Sequence, residues 1–144
     1  MNPILKAALD AICREREAAA YSAAFDAVEA LHRAYREEYL ANRLYREIPC
    51  SVPFEIVCEL LDILAWETPD NGAAVQRTLE SWLREGTDNR KLLIALHVEI
   101  YPYINAREMY AVLSRLEATA TPRIREMIRL RQEQEERVGR DENA

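Results

Sequence analysis

One histidine in this chain has the spacing of a metal-ligand motif. Glu29 and His32 form an E-x-x-H pair, and residues three apart lie on the same face of a helix. Helical di-iron proteins use two such pairs that face each other, with two further glutamates. The other histidine, His97, follows Ile94 where the motif would need a glutamate. A single pair does not make this site, so the sequence predicts no metal ion and no other cofactor.

The usual catalytic motifs are missing from the sequence. It contains no zinc-protease motif, no phosphate-binding P-loop, no dinucleotide-binding glycine fingerprint and no nucleophile elbow. His97 lies in an almost wholly apolar stretch, which favours a buried core histidine, whereas His32 lies in an aromatic stripe that favours packing or an interface. We therefore expect a protein that is not an enzyme. An enzyme with an unrecognised site, containing a histidine beside carboxylates in a cleft, is a less favoured alternative.

The composition favours one all-α domain. The chain has 144 residues, of which 49% are hydrophobic and only three are glycine. Such a chain can bury a core without metals or disulfides. We expect an antiparallel bundle of five to six helices over residues 1–131, with a long N-terminal helix at 3–48 and the rest of the bundle at 53–131. A charged, frayed tail is predicted at 132–144.

The helix predicted at 3–48 is too long for a compact domain of this size. It either breaks near the charged residues 14–17 or projects beyond the bundle. A projecting helix needs a partner, and alanines recur along it at heptad spacing, which lets a second helix approach closely. The pattern predicts self-association through Ala20, Ala27, Ala34 and Ala41. The alternative is packing of this face against the protein's own helices.

Two groups of residues suggest a surface for a protein partner. Tyrosine and arginine, which are enriched in interface hot spots, alternate in the first group: Tyr35, Arg36, Tyr39 and Arg43. The second group is acidic, in a region (49–87) with seven acidic and two basic residues: Glu55, Glu59 and Asp62. The favoured interpretation is a non-enzymatic interaction module, self-associating and binding or inhibiting a protein partner through these groups.

Two other functions are consistent with the charge pattern. The acidic helix could belong to an inhibitor that mimics nucleic acid. Small helical subunits of phage packaging machines are similar in form, with a long helix, a bundle and a mixed-charge tail, so a DNA-associated oligomer of that type is a further alternative. It would use the arginines of the last helix: Arg123, Arg125, Arg129 and Arg131. The net charge of −6 disfavours nucleic acid as the partner.

The cellular setting follows from the cysteines and the hydropathy. Three unclustered cysteines suggest reduced thiols. The first residues are too polar for a signal peptide, and no apolar run is long enough for a membrane span. We expect a cytoplasmic protein with no membrane contact.

The apolar stretch 88–117 is predicted to form the centre of the bundle. It should consist of two helices that meet at Pro102, with Asn105 capping the second. The first of the two should end at Tyr101. We expect the other helices to pack around this pair.

Three further helices are predicted from caps, stops and apolar spacing. One spans 54–66 with Leu60 facing inward, and another spans 73–85 with Trp82 facing inward and Gly86 as its stop. Thr121 and Pro122 should open the last helix as cap and first-turn proline.

Overall fold

The first 48 residues form three helices in place of one. The structure is a computed structural model that describes residues 1–18, 20–100 and 105–143. Helix α1 spans Pro3–Ala18, α2 spans Ser22–Tyr35 and α3 spans Leu40–Glu47. The prediction of one continuous helix is therefore wrong. The chain breaks twice, first between α1 and α2, shortly after the charged residues 14–17, and again between α2 and α3.

The first break is stabilised by a side chain of the charged segment 14–17. The Glu15 carboxylate of α1 accepts hydrogen bonds from the backbone N–H groups of Ala23, at 2.7 Å, and Ala24, at 3.1 Å. The first N–H groups of a helix have no partner within the helix, and the positive end of its dipole favours an anion. Glu15 thus caps α2 from the helix before it.

The second break depends on a residue in the left-handed conformation. Arg36 ends α2 with φ 52° and ψ 38°, and its N–H donates to the carbonyl of His32 at 3.1 Å. Glycine usually occupies this position because a side chain is strained there. Since the sequence has no glycine between Ala11 and Glu47, ordinary stop signals do not predict this turn.

Five further helices complete the described chain. They are α4 (Phe54–Glu67), α5 (Ala73–Glu85), α6 (Asn89–His97), α7 (Ala106–Glu117) and α8 (Pro122–Asn143). The predicted all-α class is confirmed. Eight helices are found in the described residues, against five to six expected, chiefly because the first predicted helix is divided. Helix α8 continues to Asn143, beyond Arg131, where the sequence analysis places the end of the domain.

Several predicted helix ends are confirmed. Asn105 accepts hydrogen bonds from the N–H groups of Arg107 and Glu108, and the Thr121 hydroxyl accepts one from Ile124. Gly86 ends α5 in the left-handed conformation, with φ 65°. Helix α6 ends at His97, several residues before the predicted end at Tyr101, and Pro102 lies outside the described residues.

Helices α4 and α5 each pack against four other helices. Helix α4 packs against α1, α2, α5 and α6, whereas α6 packs against α4, α5 and α8. The expectation that all helices surround the stretch 88–117 is therefore wrong, because α1 and α2 pack on α4 instead. The largest fully buried side chains come from seven of the described helices and include Ile12, Leu31, Leu44, Leu60, Trp82, Ile94 and Met109. None of the described helices has both the length and the apolar composition required to cross a bilayer.

Candidate interaction surface

The three carboxylates of the acidic face of α4 each bind another part of the chain. Glu59 pairs with Arg16 of α1, with 2.8 Å between Oε1 and Nε, and Glu55 lies 3.9 Å from Arg123 of α8. Asp62 accepts hydrogen bonds from the backbone N–H groups of residues 99 and 100 at 3.1–3.4 Å. These carboxylates therefore join α4 to its neighbours, and less of their charge is open to a partner than the sequence suggests.

Burial changes the acidity of two of these groups. Burial raises the pKa of Asp62 to about 6, although its backbone hydrogen bonds act in the opposite direction. Burial also raises the pKa of Glu59, and the charge of Arg16 opposes this rise. Near neutral pH Asp62 is mostly ionised and can still contribute negative charge to the surface beside it.

Trp66 extends the same face of α4 and is the most exposed large hydrophobic side chain described. It follows Asp62 by four residues, which is one helical turn, and its side chain is 83% exposed. It lines a cleft of about 460 Å³ between the end of α4, the turn before α5 and the segment after α6. The other lining residues are Asp62, Ala65, Asn71, Glu99 and Ile100.

Trp66 lies in a predicted helix, but no role for it is predicted from the sequence. A signal was present, because the positions 55, 59, 62 and 66 are spaced by four, three and four residues. This spacing puts the indole on the acidic face, opposite the buried leucines of α4. The position of a tryptophan on a charged helical face is therefore the sequence signal that indicates Trp66 as a candidate binding residue.

The tyrosine–arginine group is divided between an internal cluster and an exposed turn. Tyr35 is buried, and its hydroxyl donates to Glu47 at 2.5 Å. The Arg43 guanidinium lies 4.3 Å from the Tyr35 ring centroid and pairs with Glu37 and Glu47. Burial and the neighbouring Glu47 raise the pKa of Tyr35 to about 12.

This cluster links α2 to α3 across the second break. The structure therefore gives Tyr35 and Arg43 an internal packing role. The other two predicted members, Arg36 and Tyr39, lie in the turn and are exposed. Only this half of the predicted surface is open to a partner.

The four alanines do not form the predicted continuous stripe. Ala20 lies in the link between α1 and α2, Ala27 and Ala34 belong to α2, and Ala41 belongs to α3. Ala41 is buried in the core, and Ala27 packs partly against it. Heptad spacing aligns residues only on an unbroken helix, so the two breaks remove the geometry on which this prediction depended.

One of the four arginines of α8 is withdrawn into the protein. Arg131 is only 5% exposed, and its guanidinium donates to the carbonyls of Val98 at 2.7 Å and Ile100 at 3.1 Å. Arg123 lies over the Phe54 ring, 4.9 Å from its centroid. Arg125 and Arg129 are exposed. Arg131 is therefore not available to the predicted DNA-binding surface, which loses one of its four arginines.

The histidines do not occupy one site. His97 is exposed and packs edge-on against Phe54 at 5.4 Å between centroids, so its assignment as a buried core histidine is wrong. Its helix is short, and His97 is the last residue, where a side chain can leave the core. Glu29 pairs with Arg33, one turn along α2. Within the described ranges no three histidine, cysteine or acidic side chains are grouped as metal ligands.

Comparisons with known proteins add no relative. No protein-family model, no curated protein and no solved structure matches this chain. The fold and the surface therefore define only its structural class: an all-α bundle whose acidic helix α4 carries an exposed tryptophan beside a cleft.

Proposed function

We propose that this protein is a helical protein–protein interaction module and that Trp66 marks its binding surface. The observation that carries the proposal is the 83% exposure of the indole at the edge of a 460 Å³ cleft. Leaving an indole in water forgoes the favourable burial of a large apolar area. Tryptophan is also enriched among the residues that dominate binding energy at interfaces.

The surroundings of Trp66 support an interface in preference to an isolated surface residue. Scattered apolar side chains are common on proteins. Trp66, however, adjoins Ala65 and Ile100, and the cleft they line also contains carboxylates. An apolar centre with a polar edge is the usual composition of an interface.

The test is affinity capture from cells that contain the protein. The purified chain, the Trp66→Ala variant and the Tyr110→Ala variant are immobilised in parallel. Tyr110 is a matched control because it is a second exposed aromatic residue, 59% exposed, on helix α7, which contributes none of the cleft-lining residues named above. We expect a protein that the native chain and the Tyr110 variant retain and the Trp66 variant loses.

Two results would contradict this proposal. Retention that does not depend on Trp66 would exclude the cleft as the binding surface. Failure of the native chain to retain any protein above the bare support would remove the evidence for an interaction module. Because both substitutions affect exposed side chains, the stability of each variant should lie within about 0.5 kcal/mol of the native value, which a urea titration checks.

A further inference from the structure

The lining of the Trp66 cleft combines apolar and anionic groups. Trp66, Ala65 and Ile100 supply the apolar part, and Asp62 and Glu99 supply carboxylates. A neutral apolar ligand would cover the Glu99 carboxylate without satisfying it, which is costly. An anionic ligand would be repelled. The chemistry that satisfies both parts is a cation carried on an apolar or planar group.

The chain that borders the cleft is acidic. Residues 62–71, from the end of α4 through the turn before α5, contain three acidic residues and no basic one. Arg131 approaches the segment 98–100, but its guanidinium is buried and donates to backbone carbonyls there. Glu99 is exposed, and no described basic side chain forms an ion pair with it.

Arginine suits this lining better than lysine. Its planar guanidinium stacks on an indole face and donates several hydrogen bonds in its plane, whereas the lysine ammonium is a compact and strongly hydrated charge. A guanidinium lying against Trp66 could therefore reach a carboxylate at its edge without leaving the ring.

The exposure of Trp66 indicates an occupant larger than the cleft. A small guanidinium compound inside the cleft would leave most of the indole in water. A polypeptide that crosses the edge of the cleft covers the indole with its own side chains while inserting one of them. We propose that the Trp66 cleft binds an arginine side chain of a basic segment in a protein partner. This inference rests on the proposed function and names the chemistry of its partner.

The test uses a fluorescein-labelled glycine–serine peptide with Arg-Leu-Arg at its centre. Matched peptides carry lysine, citrulline or glutamate in place of arginine. Fluorescence anisotropy measures binding, and the indole N–H signals in ¹⁵N NMR spectra report on Trp66 separately from the buried Trp82. We expect the arginine peptide to bind about tenfold more tightly than the citrulline peptide, because citrulline keeps the shape and loses the charge.

The variants separate the two parts of the cleft. Trp66→Ala should weaken binding of the arginine peptide by about tenfold or more. Glu99→Gln should weaken it by about threefold, because a carboxylate that forms no ion pair with a described side chain is removed. Glu85→Gln changes the charge equally at the far end of α5, about 18 Å along that helix from Ala73 beside the cleft, and should leave binding unchanged. Asp62 is left intact because it also holds the segment after α6.

Several outcomes would overturn the proposal. Equal binding of the arginine and citrulline peptides would exclude a cation site, and tighter binding of the glutamate peptide would assign the cleft to an anion. Equal weakening of peptide binding by Glu99→Gln and Glu85→Gln would mean that binding depends on the net charge of the protein and not on a carboxylate in the cleft. If cells yield a Trp66-dependent partner and the arginine peptide does not bind, the partner chemistry is wrong and the interaction function stands. If both experiments fail, both proposals fall.

Discussion

Asp62 of α4 and Arg131 of α8 hold the same three-residue segment, 98–100, through complementary backbone groups. The Asp62 carboxylate accepts from the N–H groups of Glu99 and Ile100, and the Arg131 guanidinium donates to the carbonyls of Val98 and Ile100. The backbone after α6 is thus held by the Asp62 carboxylate on its N–H groups and by the Arg131 guanidinium on its carbonyl groups. This segment forms one wall of the Trp66 cleft, so the two residues also position the proposed binding surface.

Removing the arginine from this arrangement should strongly destabilise the protein. Arg131→Met leaves two partly buried carbonyls without their donor and should lower the free energy of unfolding by about 2–4 kcal/mol. Arg129→Met, at an exposed position of the same helix, should change it by less than about 0.5 kcal/mol. Urea titration followed by circular dichroism measures both. Equal effects would mean that the contacts of Arg131 contribute little to stability.

Asp62 should give the stability a characteristic pH dependence. Its pKa is about 6 in the folded protein, against 3.8 without burial, so the folded state binds more protons between these values. The free energy of unfolding should therefore fall as pH rises from about 4 to about 7, by at most about 3 kcal/mol, and this contribution should be constant above about pH 7. Urea titrations at a series of pH values measure the decline.

Variants assign this decline to its source. Asp62→Asn should abolish it, whereas Asp10→Asn, at an exposed aspartate that pairs with Lys6, should not. The charges that face Asp62 are Glu99, which raises its pKa, and Arg131, which lowers it. Arg131→Met should accordingly move the end of the decline to higher pH. A profile of the Asp62 variant identical to that of the native protein would refute the assignment.

Glycine at position 36 should stabilise the turn between α2 and α3. Arg36 adopts φ 52°, which strains a residue with a β-carbon. Arg36→Gly relieves this strain and should raise the free energy of unfolding by about 0.5–1 kcal/mol, after the cost of a more flexible unfolded chain. Arg33→Gly, inside α2, should lower it by about 1 kcal/mol. Thermal unfolding distinguishes the two, and a loss at both positions would contradict the expectation.

The three thiols should differ in reactivity. Cys13 and Cys50 are exposed, whereas Cys58 is buried in α4 and donates to the carbonyl of Ile94 at 3.6 Å. Burial raises the pKa of the Cys58 thiol, which reduces the reactive thiolate. A thiol reagent should modify two cysteines in the native protein and all three in urea, as counted by mass spectrometry. Rapid modification of Cys58 in the native state would show that α4 opens readily.

Self-association through the alanines can be tested at Ala34, which is exposed on α2. Ala34→Glu places a charge on the surface of α2, where an alanine contact between copies would have to form. Since the four alanines do not share one helix, we expect light scattering to give the same mass for this variant and the native protein. A native multimer that Ala34→Glu dissociates would restore this surface as an interface.

Local chemistry in the sequence determined the helical class and many helix ends. Sparse glycine, the Asn105 and Thr121 caps and the Gly86 stop act over a few residues, so each can be inferred without knowing what lies nearby in space. The inward faces of α4 and α5 follow in the same way from apolar residues repeated at helical spacing. Leu60 and Trp82 are buried as this pattern predicts.

Contacts between distant residues decided the rest. Glu15 of α1 caps the start of α2 at residues eight and nine positions away, and Arg36 ends α2 without a glycine. Because of these two turns, the four alanines do not lie on one helix, and both α1 and α2 pack against α4. The sequence could not show which carboxylates would find cations or backbone N–H groups, because that depends on which helices meet. The same packing engaged Glu59 and Asp62 and left Trp66, on the same face of α4, open to solvent.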